Sequence, residues 1–200
     1  MDLSQKAQTA LRLVREAPLI AFDTETSGVD WKVNQPIGYV ITDPNVSVYV
    51  PIRHGGGGNL PGAKPMQTPT DDITPSDFEV ELNKAFADRE RLKIGRAVGH
   101  NMKFDVHMAA NAGVMLGRNI GCTQLMHAML DEYTKEFSLD GCAGIYGVTA
   151  KLGEELYQAI ADRVGVPANK KVMEHFWEMP GNDRTVMDYA EGDGVTTIQL

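Results

Sequence analysis

The sequence has only two cysteines, no long hydrophobic run, and fewer basic than acidic residues. Cys122 and Cys142 are too few for a disulfide framework or a zinc site, so we expect reduced thiols in a cytoplasmic protein. No apolar run approaches the roughly 18 residues of a membrane span, and the first residues form an amphipathic helix pattern rather than a signal peptide. With 19 basic against 27 acidic side chains, the chain lacks the basic surface typical of tight, sequence-independent nucleic-acid binders.

The composition is otherwise that of a globular protein. The chain has 200 residues, of which 42% are hydrophobic and 23% charged, and this length fits one domain with its own hydrophobic core. Residues 53–75 differ, because they contain four consecutive glycines and repeated prolines. A loop of this length inside a compact domain is usually functional or disordered. Two interpretations stay open: a flap beside an active site, and a tolerated surface insertion.

Hydrophobic periodicity predicts a mixture of helices and strands. It indicates a helix over residues 3–14 and a buried strand over 19–26. Strands 37–42 and 46–52 are separated by an Asp-Pro-Asn turn signal and predict an antiparallel hairpin. The later elements are a helix that begins at the capping box Ser76–Glu79, strands 96–100 and 120–123, and helices 101–112, 124–133, 138–147, 152–164 and 184–200. A hairpin followed by alternating helices and strands predicts an α/β fold, a mixed sheet with helices on both faces.

Two acidic side chains stand at the end of the first predicted strand. Asp23 and Glu25 are two residues apart, so they project from the same face of the strand. Adjacent carboxylates repel each other when buried, and they are tolerated where a divalent cation lies between them. A solvent-exposed strand end with two unrelated acids is the alternative interpretation.

Two further segments carry polar residues at helical spacing. Asn101 and Asp105 are one turn apart on one predicted helix, and Tyr189 and Asp193 are one turn apart on the last. Each pair alone has an ordinary interpretation. The first fits an asparagine cap with a solvated aspartate in the first helical turn, and the second fits a surface tyrosine and a surface aspartate.

Taken together and in this order, the three segments resemble the motifs of the DEDD superfamily of 3′–5′ exonucleases. FDTETSG is similar to the first motif, GHNMKFD to the second and YAEGD to the third, and FSLDGCA is similar to a stretch between the last two. The similarity covers about residues 18–200. Tyr189, four residues before the last aspartate, is typical of the tyrosine branch. That branch includes the proofreading domains of bacterial and phage family A DNA polymerases, and also RNase D-like RNA exonucleases.

The resemblance implies an RNase H-like fold over residues 1–200, as a single 3′–5′ exonuclease domain and the N-terminal part of a longer polymerase. It also implies two divalent metal ions, Mg²⁺ or Mn²⁺, which prefer carboxylate oxygens. In this family pattern, Asp23 bridges both metals, and Glu25 and Asp193 complete the site that activates water. Asp105 supports the second metal, and Tyr189 orients the water. The implied catalytic residues are Asp23, Glu25, Asp105, Tyr189 and Asp193, and the four acids among them are the implied metal ligands.

Substrate contacts are implied at four positions. Thr26 offers its backbone to the terminal nucleotide, and Val29 places an apolar side chain against the terminal bases. Asn101 approaches the penultimate nucleotide or its phosphate. Lys103 contacts a phosphate, with a simply solvated lysine as the alternative.

The implied substrate is the 3′ end of single-stranded DNA, and the implied partner is a polymerase domain in the same or a partner chain, with no membrane. The product is a nucleoside 5′-monophosphate. The alternatives are a standalone phage exonuclease, an RNase D-like RNA exonuclease and an inactive structural module of a polymerase. An inactive module typically lacks one or more of the acids, and here all four are present.

Three features have no role in this interpretation. Trp31 follows the first motif and either borders the cleft or packs on the surface. His107 lies two residues after Asp105, so on a helix it points in another direction. The methionines of the central region are expected to fill the core; they are Met102, Met108, Met115, Met126 and Met129.

Overall fold

A five-stranded mixed sheet lies at the centre of the computed structural model, which describes residues 1–148 and 153–200. Its strands are β1 (Leu19–Thr26), β2 (Pro36–Thr42), β3 (Ser47–Pro51), β4 (Arg96–Gly99) and β5 (Ile120–Cys122). They lie in the order β3-β2-β1-β4-β5. The pairs β1–β2 and β2–β3 are antiparallel, and β1–β4 and β4–β5 are parallel. The predicted α/β fold with an antiparallel hairpin and parallel strands is confirmed.

Helices cover the sheet. Those in the described part of the chain are α1 (Leu3–Glu16), α2 (Asp77–Leu92), α3 (Met102–Asn111), α4 (Thr123–Leu130), α5 (Leu139–Tyr146), α6 (Glu154–Val164), a 3₁₀ helix (Lys170–Glu178) and α7 (Arg184–Gln199). None of these described helices combines the length and apolar character that crossing a membrane requires.

The largest differences from the predicted helices lie in the second half of the chain. The predicted helix 124–133 ends at Leu130, because Asp131 leaves the helical conformation and accepts a hydrogen bond from the backbone N–H of Tyr133 (3.0 Å). The predicted helix 152–164 starts outside the described residues, and the structure shows it from Glu154. The 3₁₀ helix was not predicted, although its apolar side chains Val172, Met173, Phe176 and Trp177 recur at helical spacing.

The two faces of the sheet contact two separate cores. Tyr39 and its cross-strand partner Val50 belong to the core shared with α1 and α2, whereas Val40 and its partner Tyr49 belong to the core shared with α6, the 3₁₀ helix and α7. This alternation follows from the two-residue repeat of a strand. It places helices on both faces, as predicted.

A buried ion pair holds the ends of the loop that follows β3. The structure has no helix or strand between Pro51 and Asp77. The Arg53 guanidinium forms a two-point ion pair with the Glu79 carboxylate and donates to the carbonyl oxygen of Thr74 (3.2 Å). Glu79 also accepts hydrogen bonds from the Tyr39 hydroxyl (2.7 Å) and, as the capping box predicts, closes the first turn of α2.

The middle of this loop contacts the segment that follows β1. The carbonyl oxygen of Pro69 accepts hydrogen bonds from the Ser27 hydroxyl and from Nδ2 of Asn34 (3.1 Å). The 53–75 loop therefore lies beside residues 27–35, which connect β1 to β2.

Candidate functional site

Three carboxylates form a cluster at the end of β1. One oxygen atom each of Asp23, Glu25 and Asp193 lies within 4.8 Å of the other two. The first two belong to β1, and the third belongs to α7, which packs across β1, β2 and β3. Gly194 permits this close packing, because a Cβ there would overlap the Thr42 hydroxyl. The structure thus brings together three of the four predicted acids.

Glu191 anchors α7 to the sheet. Its carboxylate forms an ion pair with Nζ of Lys6 and accepts a hydrogen bond from the backbone N–H of Tyr49 (2.9 Å). Its carbonyl oxygen accepts a hydrogen bond from the Ser47 hydroxyl (3.0 Å). These contacts hold the helix that carries Asp193 in place. No local pattern could reveal them, because Lys6 lies at the opposite end of the chain.

Asp105 occupies a different position from the cluster of three. Its Oδ1 accepts hydrogen bonds from the backbone N–H (3.0 Å) and the hydroxyl (2.7 Å) of Thr24 on β1. The side chain is only 1% exposed, and its burial, together with the charge of Asp23, raises the pKa of Asp105 well above the ordinary value. Asp105 therefore lies next to the cluster but is hydrogen-bonded to the strand backbone. The alternative of a solvated aspartate is wrong.

Tyr189 is half-buried on α7, one turn before Asp193, and its ring contacts that of Phe176 with 5.9 Å between centroids. The shared helix is consistent with a common site. The role of the tyrosine hydroxyl stays a prediction.

The four predicted substrate residues lie at the end of β1, in the loop after it and at the start of α3, with different exposures. Thr26 ends β1 and is half-buried, and its hydroxyl donates to the carbonyl oxygen of Gly28 (2.8 Å). Val29 is 89% exposed. Asn101 and Lys103 are also exposed. Asn101 stands at the N-cap of α3 in the left-handed conformation (φ 58°), and its side chain makes no capping hydrogen bond. Its interpretation as an ordinary side-chain cap is therefore wrong.

A tyrosine–histidine pair supports the strand opposite Glu25. Gly38 pairs with Glu25 across the β1–β2 ladder, and a Cβ on Gly38 would overlap the Tyr49 hydroxyl. That hydroxyl lies 2.6 Å from Nε2 of His54. Burial is the main cause of the raised pKa of Tyr49, and the charges of Glu25 and Asp23 raise it further. Burial lowers the pKa of His54 to about 4. Both side chains are thus neutral at pH 7.

We expect Gly38→Ala to destabilise the protein by about 1–3 kcal/mol, because the added Cβ forces the buried Tyr49 side chain to move. The measurement is the free energy of unfolding from denaturant titration. Gly144→Ala is the matched control. Gly144 lies in α5, where a Cβ would point into open space, and alanine is a better helix former than glycine by up to about 1 kcal/mol. Equal stabilities of the two variants would contradict the packing argument.

Comparison with known proteins identifies related sequences. The profile of a family described as 3′–5′ exonuclease matches residues 1–200. DNA polymerase DpoZ of Salmonella phage PMBT28 is 32% identical over 185 residues, which cover 90% of this chain and 25% of that protein. DNA polymerase I of Pseudomonas aeruginosa is 29% identical over 136 residues, which cover 66% of this chain and 13% of that protein. The chain thus spans a quarter or less of the length of these curated relatives.

Solved structures of low identity share the fold. Trypanosoma brucei RNase D has a TM-score of 0.61 at 15% identity, with 99% of this chain and 61% of that chain covered. Brucella melitensis NrnC bound to pGG has a TM-score of 0.59 at 16% identity, with 93% and 71% covered. At these identities the likeness concerns the fold alone, and it agrees with the expected RNase H-like sheet.

Proposed function

Since this chain belongs to the 3′–5′ exonuclease family, we propose that it hydrolyses single-stranded DNA from the 3′ end with divalent metal ions. The observation that carries the proposal is the cluster of Asp23, Glu25 and Asp193, whose carboxylate oxygens lie within 4.8 Å of one another. The expected products are nucleoside 5′-monophosphates, released one at a time.

The donor set of this cluster fits a hard divalent cation. Carboxylate oxygens are the ligands that Mg²⁺ and Mn²⁺ prefer, and the cluster contains no cysteine or histidine of the kind typical of structural zinc sites. Asp23, Glu25 and Asp193 would hold the ions, with Asp105 as a supporting acid. A bound divalent ion of this kind lowers the pKa of a nucleophilic water and stabilises charge on the leaving oxygen.

The residues of the chain itself position the reactants. Tyr189 lies one helical turn from Asp193, so its hydroxyl is proposed to orient the attacking water. Thr26 and Asn101 are proposed to hold the terminal nucleotides, and Val29 to contact the terminal bases. The exposed Lys103 is proposed to contact a phosphate.

The proposed biological role is proofreading for a family A DNA polymerase in the cytoplasm of a bacterium or a phage-infected cell. Two curated relatives are DNA polymerases, and this supports DNA as substrate and a polymerase domain, in the same or a partner chain, as partner. An RNase D-like activity on RNA is the second candidate, because RNase D shares the fold. A standalone phage exonuclease is the third. An inactive module is disfavoured, since all four acids and the tyrosine are present.

The proposal is tested with a 5′-labelled single-stranded DNA and an RNA of the same sequence, each incubated with Mg²⁺, Mn²⁺ or EDTA. We expect a ladder of DNA products that shortens from the 3′ end only with metal, and no ladder with the Asp23→Ala variant. A ladder on RNA alone would replace the proposed substrate with that of the second candidate. The absence of any ladder with either metal would refute the proposed activity of this chain.

A further inference from the structure

An aromatic stack holds the loop that follows β1, residues 27–35. The rings of Trp31 and His107 stack with their centroids 4.2 Å apart and their planes at 16°. Asn111 lies one turn beyond His107 on α3, and its Nδ2 donates hydrogen bonds to the carbonyl oxygens of Trp31 (2.7 Å) and Asn34 (3.2 Å). Two side chains of α3 therefore attach this loop to the helix that also carries Asp105.

Hydrogen bonds within the loop make it a closed unit. The backbone N–H of Ser27 donates to the carbonyl oxygen of Gln35 (2.9 Å), and this bond joins the two ends of the loop. The buried Asn34 accepts a hydrogen bond from the backbone N–H of Asp30 (3.0 Å) and donates to Pro69. The conformation of the loop is thus set before any ligand arrives.

This attached loop presents apolar side chains to solvent. Val29 is 89% exposed and Val33 is 48% exposed, so neither side chain is required by the core. The Lys32 ammonium lies 5.9 Å from the centroid of the Trp31 ring. The loop starts directly after the strand that carries Glu25. An apolar surface with an adjacent positive charge suits a nucleobase and its phosphate.

We infer that the 27–35 loop is a preformed shelf for the unpaired bases next to the cleaved phosphodiester, and that Trp31, His107 and Asn111 are positioning residues that hold it. The inference rests on the proposed function and adds to it the residues that act through Val29. Bases stack on such surfaces with little regard to sequence. A surface that is ordered in advance also avoids the entropy loss of ordering a loop on binding.

The experiment compares two substrates that differ in the presence of a neighbouring base. One is a single-stranded oligodeoxynucleotide, and the other is methyl p-nitrophenyl phosphate, a phosphodiester that carries no nucleobase. We expect His107→Ala to raise KM for the oligonucleotide about tenfold, as for loss of a base-stacking contact, with kcat and ester hydrolysis close to wild type. His107→Phe keeps an aromatic ring against Trp31, so it should restore the wild-type KM.

A double-mutant cycle tests whether the stack acts through Val29. If it does, the variant with both Val29→Ala and His107→Ala should have a KM no higher than that of the more impaired single variant. Effects that multiply would show independent roles and overturn the assignment of His107 as a positioning residue.

The outcomes separate failure of this inference from failure of the proposed function. An unchanged oligonucleotide KM in His107→Ala, or an equal loss on both substrates, would overturn the inference and leave the exonuclease activity intact. If the wild type cleaves neither substrate, the proposed function fails. The shelf is then tested by fluorescence anisotropy with the labelled oligonucleotide in EDTA. We expect His107→Ala to raise the Kd for the oligonucleotide about tenfold. Equal Kd values for the variant and the wild type would refute the shelf, and so would a wild type that does not bind.

Discussion

Asp193→Asn is expected to lower the exonuclease rate by about 10³-fold or more and to raise the stability of the metal-free protein. The rate falls because the variant loses one carboxylate of the cluster that we propose as the metal site, and such a site contributes several kcal/mol to the transition state. Stability rises because Asp193 is buried with its oxygen within 4.8 Å of those of Asp23 and Glu25. Relief of this repulsion is expected to contribute about 1 kcal/mol or more, and therefore to raise Tm by about 2–4 °C.

Both effects are measured on the same protein samples. Cleavage of a labelled oligonucleotide with Mn²⁺ reports the rate, and thermal unfolding in EDTA reports Tm. Asp188→Asn is the control, because Asp188 is an exposed residue of the same helix whose contact is an ion pair with Arg184 (3.2 Å). It should stay close to wild type in both assays. A lower Tm for Asp193→Asn in EDTA would show that the cluster is not repulsive.

Glu79→Gln is expected to cause the largest loss of stability, about 3–5 kcal/mol, which corresponds to a fall in Tm of about 10 °C. The variant leaves the buried guanidinium of Arg53 without its carboxylate, and the buried hydroxyl of Tyr39 loses a charged acceptor. Burial of a charge without a partner is costly because the charge cannot be solvated. The measurement is urea-induced unfolding followed by circular dichroism.

Glu81→Gln provides the comparison for this prediction. Glu81 lies two residues further along α2, and it pairs with Lys84 (2.8 Å) and Arg15 (3.4 Å) at the surface. Exposed ion pairs contribute little to stability, so this variant should unfold near the wild-type urea concentration. Equal stability of Glu79→Gln and Glu81→Gln would contradict the role of the buried pair.

We also expect faster proteolysis within residues 53–75 in Glu79→Gln, because the Arg53–Glu79 ion pair holds the ends of that loop.

Local patterns predicted most of the fold because they report short-range physics. The apolar run before Asp23 predicted β1, the turn signal predicted the hairpin, and the capping box at Ser76 predicted the start of α2. The expectation that the methionines fill the core was wrong for three of them, because the residue type does not reveal whether another element covers the side chain. Met102 and Met108 are buried as expected, whereas Met115, Met126 and Met129 are exposed.

Sequence spacing by itself determined which acids share a strand or helix face, since the repeats of strands and helices are fixed by backbone geometry. Only the tertiary structure decided which faces meet. It packs α7 onto the sheet through Gly194 and thereby brings Asp193 to Asp23 and Glu25, while it leaves Asp105 hydrogen-bonded to Thr24. Local sequence patterns also do not predict the ion pairs Lys6–Glu191 and Arg53–Glu79 or the stacking of Trp31 on His107. They join segments distant in sequence, and their partners are selected by the packing of the whole chain.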